Sequence, residues 1–259
     1  MHRTAAILVS LGLAAGALGG LLGIGGGALV VPGLVFFLGF NQHKAHGTSL
    51  AVVLCMSAGS VATYWSHGNI DWRLAGEMAV GGVAGAWLGT KVVSAIKGKV
   101  LRRVFCVFMA LVGIRMIFDG CLTTHGAPDR ATHRMLSDGM LFAVAAALAT
   151  GLTTGFMSAL LGIGGGVVMV PAMVLLLCVS QHTAQGVSLA AMMPTAFTGM
   201  VLHREMGNVD FRVAKWVGLG AIAGGIAGSS VAGSLDASLL KLIFGLFLVM
   251  MSVLMAVRR

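Results

Sequence analysis

Charged residues are scarce in this chain of 259 residues. Asp, Glu, Lys and Arg make up 10% of it, only 8 residues are acidic, and apolar residues account for 58%. Soluble domains carry about 25% charged residues, so the composition excludes an ordinary soluble domain and predicts an all-α integral membrane protein in contact with the lipid bilayer. The net charge of +9 does not indicate nucleic acid as a partner, since basic residues that flank apolar spans are the usual result of membrane topology.

Patterns that mark enzymes and cofactor sites are also missing. None of the 4 cysteines has the Cys-x-x-Cys or Cys/His spacing of a metal or redox site. The Gly-x4-Gly-Lys-Ser/Thr phosphate loop is absent, so direct use of ATP is not expected. All 8 carboxylates fall in loops or near the ends of apolar segments, whereas cation sites and proton relays place acids inside a span. We therefore expect no cofactor, no metal and no enzymatic activity, and the lack of buried acids suits an anionic substrate.

What the sequence does contain is an internal duplication with an offset of 139 residues. Residues 21–51 align without a gap on residues 160–190, with 18 of 31 positions identical. Glycines four residues apart, at 81, 85 and 89 and again at 220, 224 and 228, predict a helix face for close helix contact in both halves. Such a duplication in a very hydrophobic chain is typical of secondary transporters, in which two halves frame one binding site.

Hydrophobic segments predict the same order of helices in each half. Six of them are long enough to cross a bilayer core of roughly 30 Å, namely residues 45–65, 74–96, 100–118, 184–202, 213–235 and 239–257. The segment before them, 5–40, would be about 54 Å long as one helix, which exceeds a single span. Glycines at its centre predict a break, so each half has a broken or hairpin first helix followed by three transmembrane helices.

The distribution of basic residues predicts the orientation of the halves. If each broken segment crosses an even number of times, the halves are inverted repeats, and 12 of the 17 Lys and Arg residues fall on the cytoplasmic side. Parallel repeats give a weaker split of 10 to 7. We therefore predict a multi-pass protein of the cytoplasmic membrane with both termini in the cytoplasm. Residues 1–119 form the first repeat, 120–138 an extracytoplasmic linker and 139–259 the second repeat.

Each predicted break has the sequence Gly-Ile-Gly-Gly-Gly, at 23–27 and at 162–166. A dinucleotide-binding interpretation fails, because a third glycine at the required spacing and alternating strands are both lacking. Glycines instead expose backbone N–H groups at the start of a helix, where the partial positive charge binds anions, and the two breaks would converge near the membrane midplane. The alternative is that they only permit close helix packing. The candidate substrate-binding glycines are Gly23, Gly25, Gly26, Gly27, Gly162, Gly164, Gly165 and Gly166.

A second repeated motif, Gln-His-x-Ala-x-Gly-x-Ser-Leu, follows each break. Its serine falls inside the next helix among apolar residues, where a hydroxyl is a good hydrogen-bond donor to an anion. Its glutamine and histidine lie where the chain re-enters the bilayer, with helix capping as the alternative role. Histidine also titrates near neutral pH, which makes protons the candidate coupling ion. From this motif the candidate substrate-binding residues are Gln42, His43, Ser49, Gln181, His182 and Ser188.

These motifs resemble the sulfite exporter TauE/SafE family of anion permeases, formerly a domain of unknown function. The resemblance rests on Gly-Ile-Gly-Gly-Gly-x4-Pro and Ala-x-Gly-x-Ser-Leu in both halves, and on a downstream His-x3-Gly-x-Ile/Val-Asp pattern. The second half keeps that histidine as His203, whereas the first half has Tyr64, and Val187 stands where the first half has Thr48. These departures predict that the two halves are not equivalent at the site.

The resemblance implies secondary transport of a small sulfur-containing or organic anion, such as sulfite or a sulfonate, by alternating access around a midplane site between the repeats. Two alternatives stay open from the sequence. One is a passive anion channel with the same lining, and the other is a membrane sulfur-relay protein that uses Cys55 or Cys178 with His43. The relay needs a nucleophile beside a base, and the sequence shows no such pair.

Overall fold

The computed structural model describes residues 2–92, 98–122, 140–161 and 165–257, which form ten α-helices and no strand. The helices of the first repeat are α1 (His2–Leu22), α2 (Gly27–Leu38), α3 (Gln42–Ser66), α4 (Trp72–Val92) and α5 (Gly98–Leu122). Those of the second repeat are α6 (Met140–Leu161), α7 (Gly166–Leu176), α8 (Gln181–Glu205), α9 (Phe211–Ser234) and α10 (Ala237–Val257). The all-α prediction is confirmed. The predicted linker begins inside α5, and its residues 123–138 lie outside the described part of the chain.

The first segment of the chain is a helix, a break and a shorter helix that runs back, as predicted. Gly23, Gly25 and Gly26 have φ angles of 71°, 82° and 66°, in the left-handed region that glycine adopts without steric strain. The chain reverses there, because Gly26 returns to lie against Gly19 of α1. With 12 residues, α2 is about 18 Å long, roughly half a bilayer core.

Rows of glycine allow helices from different repeats to pack backbone against backbone. On α4, the row faces α6 at three pairs of residues: Gly81 with Leu148, Gly85 with Leu152, and Gly89 with Phe156. On α9, the row faces α1 at the equivalent pairs: Gly220 with Val9, Gly224 with Leu13, and Gly228 with Ala17. A Cβ atom at any of these glycines would lie within 3 Å of a carbonyl oxygen on the facing helix. The predicted contact faces of small residues therefore exist, and they join the two repeats.

The same contacts show how the repeats are related. Helix α6 is the repeat equivalent of α1, and α4 is the equivalent of α9. The α6 residues that face α4 lie 139 positions after the α1 residues that face α9, so the two helix pairs are equivalent contacts. The equivalent helices α5 and α10 pack on each other in opposite directions, with Gly113 beside Gly245 and Gly120 beside Ser238. Antiparallel packing of equivalent helices requires a two-fold axis perpendicular to them. This arrangement is consistent with inverted repeats, and the side of the membrane on which each end lies stays a prediction.

Several helices have the length and composition of membrane spans. Among the described residues, five qualify: Ala5–Leu22, Gln42–Ser66, Gln181–Glu205, Phe211–Ser234 and Ala237–Ala256. Large apolar side chains such as Phe36, Leu111 and Leu254 lie exposed on the helix surfaces, as expected of side chains that face lipid. The chain is therefore a multi-pass membrane protein.

Candidate functional site

The break between α1 and α2 lies beside the axis that relates the two repeats. A Cβ atom on Gly25 would lie 3.2 Å from the Val53 side chain of α3 and 3.1 Å from the Met192 side chain of α8. Val53 and Met192 are repeat equivalents, so a position in contact with both is close to the pseudo-two-fold axis. Gly25 is buried. The first break is therefore at the centre of the molecule, between the repeats.

The second break reaches the first. Gly166, the first residue of α7, is so close to the first break that a Cβ atom on it would lie 2.6 Å from the Cα atom of Ile24. The Ser188 hydroxyl of α8 donates a hydrogen bond of 2.9 Å to the carbonyl oxygen of Gly23. Ser188, Gly23 and Gly166 thus come together, and their role in binding a substrate stays a prediction. Gly162 and Gly164 lie outside the described residues, and their role stays a prediction.

The helix starts at this contact have the electrostatic character that the sequence suggested. Helix α2 begins after Gly26 and helix α7 after Gly165, and neither of these N-cap residues makes a side-chain hydrogen bond to its helix. Both N-cap glycines are buried. The first N–H groups of a helix carry partial positive charge, and no side chain caps them here. In α2 the N–H groups of Gly27 and Leu29 donate to the carbonyl oxygens of Gly25 and Gly26, and in α7 that of Val168 donates to Gly165. Two such helix starts in a buried contact suit a small anion.

The predicted glutamines and histidines differ between the repeats. Gln42 and His43 are exposed in the first turn of α3, whereas Gln181 is fully buried and His182 half-buried in the first turn of α8. Neither the amide nitrogen nor the amide oxygen of Gln181 has a hydrogen-bond partner among the described residues. A buried amide without partners is costly, by about 1–3 kcal/mol, and usually has an explanation in function or in bound water. The second-repeat member is therefore the better candidate of the pair.

The two predicted serines are both buried, but they bond differently. Ser49 donates to the carbonyl oxygen of His46 at 2.7 Å, within its own helix. Ser188 instead reaches across to Gly23 in the other repeat. Only the second-repeat serine therefore links the two repeats in this conformation.

Sequence reasoning missed a hydrogen-bonded pair beside the first break. The Tyr64 hydroxyl of α3 lies 3.0 Å from both the Gly20 carbonyl oxygen and the Gln185 side-chain oxygen. The Tyr64 hydroxyl has one proton and can donate to only one of these two oxygens. If the Gln185 amide is turned so that its nitrogen faces Tyr64, the amide donates to the Tyr64 hydroxyl, and Tyr64 donates to the Gly20 carbonyl oxygen. Gln185 occupies a variable position of the repeated motif, His46 in the first repeat, and for that reason the pattern gave no signal for it.

The equivalent place on the other side of the axis is open. A cavity of about 10 Å³ lies between α3, α4, α6 and α8, and its lining is His46, Leu50, Ala86, Ser158, Ala159, Thr195, Gly199 and His203. His203 is the repeat equivalent of Tyr64, and His46 is the equivalent of Gln185. Volumes of this size hold about one water molecule when polar groups surround them.

An inter-repeat ion pair lies at the same end of the molecule as this cavity. The Lys44 ammonium is 2.9 Å from the Asp210 carboxylate, and the Asp210 backbone N–H donates to the Thr48 hydroxyl at 3.1 Å. Burial disfavours the charged carboxylate, but hydrogen bonds from Lys44 and from the backbone N–H groups of Val213 and Arg212 outweigh it, so the pKa of Asp210 lies below its ordinary value.

The described residues test one of the two thiol pairs that the sequence left open, Cys55 with His43. No group of three His, Cys, Asp or Glu side chains there could hold a metal ion. The four cysteines are all free thiols. Cys55 and His43 lie on one helix, twelve residues and therefore about 18 Å apart along its axis, so they cannot act as a nucleophile and its base.

Fold and site together define an integral membrane protein of two intertwined repeats with a buried contact between two broken helices. Residues 2–116 and 146–259 match the family described as Sulfite exporter TauE/SafE. The chain belongs to this family, which confirms the resemblance seen in its motifs.

Relatives of similar length carry the name of a transporter. A probable membrane transporter protein of Xylella fastidiosa (strain 9a5c) is 31% identical over 90% of this chain and 88% of its own. The probable membrane transporter protein YunE of Bacillus subtilis is 27% identical over 94% of each chain. No solved structure matches this sequence. Membership and the relatives' names support a membrane transporter.

Proposed function

We propose that this protein is a secondary transporter that moves a small sulfur-containing or organic anion, such as sulfite or a sulfonate, across the cytoplasmic membrane. The observation that carries the proposal is the buried contact of the two broken helices at the pseudo-two-fold axis, where Gly25 touches equivalent residues of both repeats. Non-helical backbone at membrane depth persists where it is enclosed by protein or lines a binding cavity. Inverted-repeat transporters place their sites at such discontinuities.

The chemistry of the site favours an anion. Two helix starts supply N–H groups at the breaks, and the Gln181 amide in the first turn of α8 is buried without a hydrogen-bond partner among the described residues. The proton of the buried Ser188 hydroxyl is donated to the Gly23 carbonyl oxygen in this conformation. No carboxylate occurs among the buried polar side chains of the described residues, so nothing acidic there would repel an anion. The description of the family names sulfite export, which supports an oxyanion of sulfur as the substrate class. The proposal includes no catalytic step.

The packing refines how alternating access would work. The closest backbone contacts join α1 to α9 and α4 to α6, so each glycine row holds helices of different repeats together. A complete repeat that rocked as one body would shear both rows at once. We therefore propose that the moving bodies are the mixed pairs α1–α9 and α4–α6, and that access changes where α3 and α8 cross near the breaks.

The proposed orientation places both termini in the cytoplasm. It rests on the distribution of Lys and Arg and on the antiparallel packing of α5 and α10. A single cysteine introduced at Gly98 should react with an impermeant reagent from the cytoplasmic side, and one at Ala127 from the opposite side. Labelling of both from one side would refute the inverted arrangement.

Uptake into proteoliposomes tests the function. Purified protein should give saturable uptake of labelled sulfite or of a short sulfonate, and Gly25→Leu should abolish it, because the side chain would fill the contact between the breaks. Gly68→Leu is the matched control, since Gly68 has a similar φ angle of 70° but nothing within 4 Å of a Cβ atom. Linear, non-saturating flux would replace the transporter with a channel. Wild-type flux in the Gly25 variant would remove the anion site from the breaks.

A further inference from the structure

The cavity between α3, α4, α6 and α8 has a filled counterpart on the other side of the two-fold axis. Each polar residue of the cavity lining has an equivalent in the other repeat, 139 positions away. His46 corresponds to Gln185 and His203 to Tyr64. Ser158 corresponds to Gly19 and Thr195 to Met56. There the Tyr64 ring and the Met56 side chain are fully buried, and Tyr64 bonds to Gln185. One framework thus encloses a contact filled by Tyr64, Met56 and Gln185 on one side and a small polar cavity on the other.

The cavity is close to the smallest size that one water molecule needs. Its volume is about 10 Å³, near the lower limit for a single water, and a buried water needs two to four polar partners. The Nδ1 atom of buried His203 has no hydrogen-bond partner among the described residues. The Thr195 hydroxyl donates to its own helix, which leaves its lone pairs available, and Gly199 contributes no side chain to the space.

Two imidazoles around one water form a proton-accepting group. Histidine is the side chain whose unperturbed pKa lies near neutrality. The filled counterpart offers a phenol and an amide at the same two positions, and neither takes up a proton near pH 7. Of the two equivalent places, one can therefore bind a proton and the other cannot.

We propose that this cavity, which we name the His46–His203 cavity, is the binding site of the coupling proton. A proton on His203 Nδ1 would be shared through one water with the His46 imidazole. The proposal rests on the proposed anion transport, since a proton bound with the anion offsets the anion's charge during passage. It adds the residues that bind the coupling ion.

Charged groups of both signs lie at this end of the molecule. They include His43 and Lys44 in the first turn of α3, Lys91 near the end of α4, Arg204 and Glu205 at the end of α8, Asp210 before α9 and Arg212 in its first turn. Lys44 and Asp210 pair with each other, so their charges largely cancel. The lining contributed by α4 and α6 carries no charged residue. His43 is exposed on α3 and His46, one turn later on the same helix, is half-buried.

The test separates proton coupling from anion movement. Proteoliposomes with a luminal pH dye would be assayed for labelled sulfite uptake under a pH gradient, and for sulfite exchange at equal pH. The double variant His46→Gln/His203→Tyr copies the filled counterpart, and it should lose gradient-driven uptake by about tenfold while exchange persists. His67→Gln, at an exposed histidine near the opposite end of α3, should behave as wild type. Gradient-driven uptake with luminal acidification in the double variant would overturn the proposal.

A direct measurement covers the case in which sulfite is not carried. Protein labelled with ¹⁵N-histidine in nanodiscs should show an imidazole resonance that titrates between about pH 5 and about pH 8 and that His203→Gln removes. No sulfite flux in wild type together with this titration would reject the substrate and support the proton site. A His203 resonance that stays constant over that range would reject the site, whatever the protein transports.

Discussion

The contact around Tyr64 and the cavity around His203 are the same place in two repeats, built on equivalent helices. In the first, Tyr64 and Gln185 bond to each other, and Tyr64 also contacts the Gly20 carbonyl oxygen. In the second, His203 and His46 border open space. The glycine rows that carry the helices are duplicated faithfully, whereas the polar residues between them have diverged. Duplication therefore preserved the framework, and substitution made the two sides chemically distinct.

The repeats also differ at the candidate substrate-binding residues. A symmetric pair of sites would offer the same groups to the ligand from both repeats. Here Ser188 bonds across the repeats and Ser49 does not, and Gln181 is buried whereas Gln42 is exposed. The asymmetry extends from the breaks to both ends of the helices α3 and α8.

The largest expected effect comes from breaking what the repeats share. Gly16→Leu and Gly155→Leu alter equivalent glycines whose Cβ atoms would overlap the backbone of α9 and of α4. Backbone cannot yield as a side chain can, so we expect each to destabilise the fold by more than about 3 kcal/mol. Size-exclusion chromatography in mild detergent should show loss of the monodisperse protein in both variants.

Gly76→Leu is the matched control for these two variants, because Gly76 lies on exposed α4 surface with nothing within 4 Å. If one of the two variants remained monodisperse, the two helix pairs would differ in tightness, and the framework would not be equivalent in the two repeats.

A smaller effect is expected where the repeats differ. Tyr64→Phe removes the hydroxyl that links α3 to α1 and to α8, leaving the Gly20 carbonyl and the Gln185 amide without it. The loss of a buried hydrogen bond of this kind costs about 1–3 kcal/mol. The thermal unfolding midpoint of the purified protein should fall, and it should fall far less for Ser66→Ala, which removes an exposed hydroxyl from the same helix. Equal unfolding midpoints for Tyr64→Phe and wild type would mean that the hydrogen bonds of the Tyr64 hydroxyl do not stabilise the fold.

Much of the fold could be predicted from the sequence, because the signals are local or repeated. The glycine rows and the Gly-Ile-Gly-Gly-Gly breaks each recur at one offset, so each repeat supported the assignment in the other. The pairing of α1 with α9 could not be predicted, since spacing shows that a face is small and does not show which helix it meets. Gln185 and His46 were missed because they occupy a position where the repeats disagree. Gln181 is buried whereas its equivalent Gln42 is exposed, and this difference also depends on tertiary packing alone.

The smallest expected effect concerns the inter-repeat ion pair beside the His46–His203 cavity, which the Tyr64 side lacks, since Thr183 stands at the position equivalent to Lys44. The pair is partly exposed, with 38% of the Lys44 side chain and 25% of the Asp210 side chain accessible, so Lys44→Met should lower stability by no more than about 1 kcal/mol. Because the pKa of Asp210 is lowered in the folded protein, its contribution is complete above the ordinary carboxyl pKa and disappears as the pH falls through the lowered value. The difference in unfolding midpoint between wild type and Lys44→Met should therefore be constant from neutral pH to about pH 5 and shrink below about pH 4.

Lys215→Met, at an exposed position of α9, serves as the control for removal of one positive charge. A difference that persisted unchanged at low pH would show that Lys44 acts through its contact with the Phe40 ring rather than through Asp210.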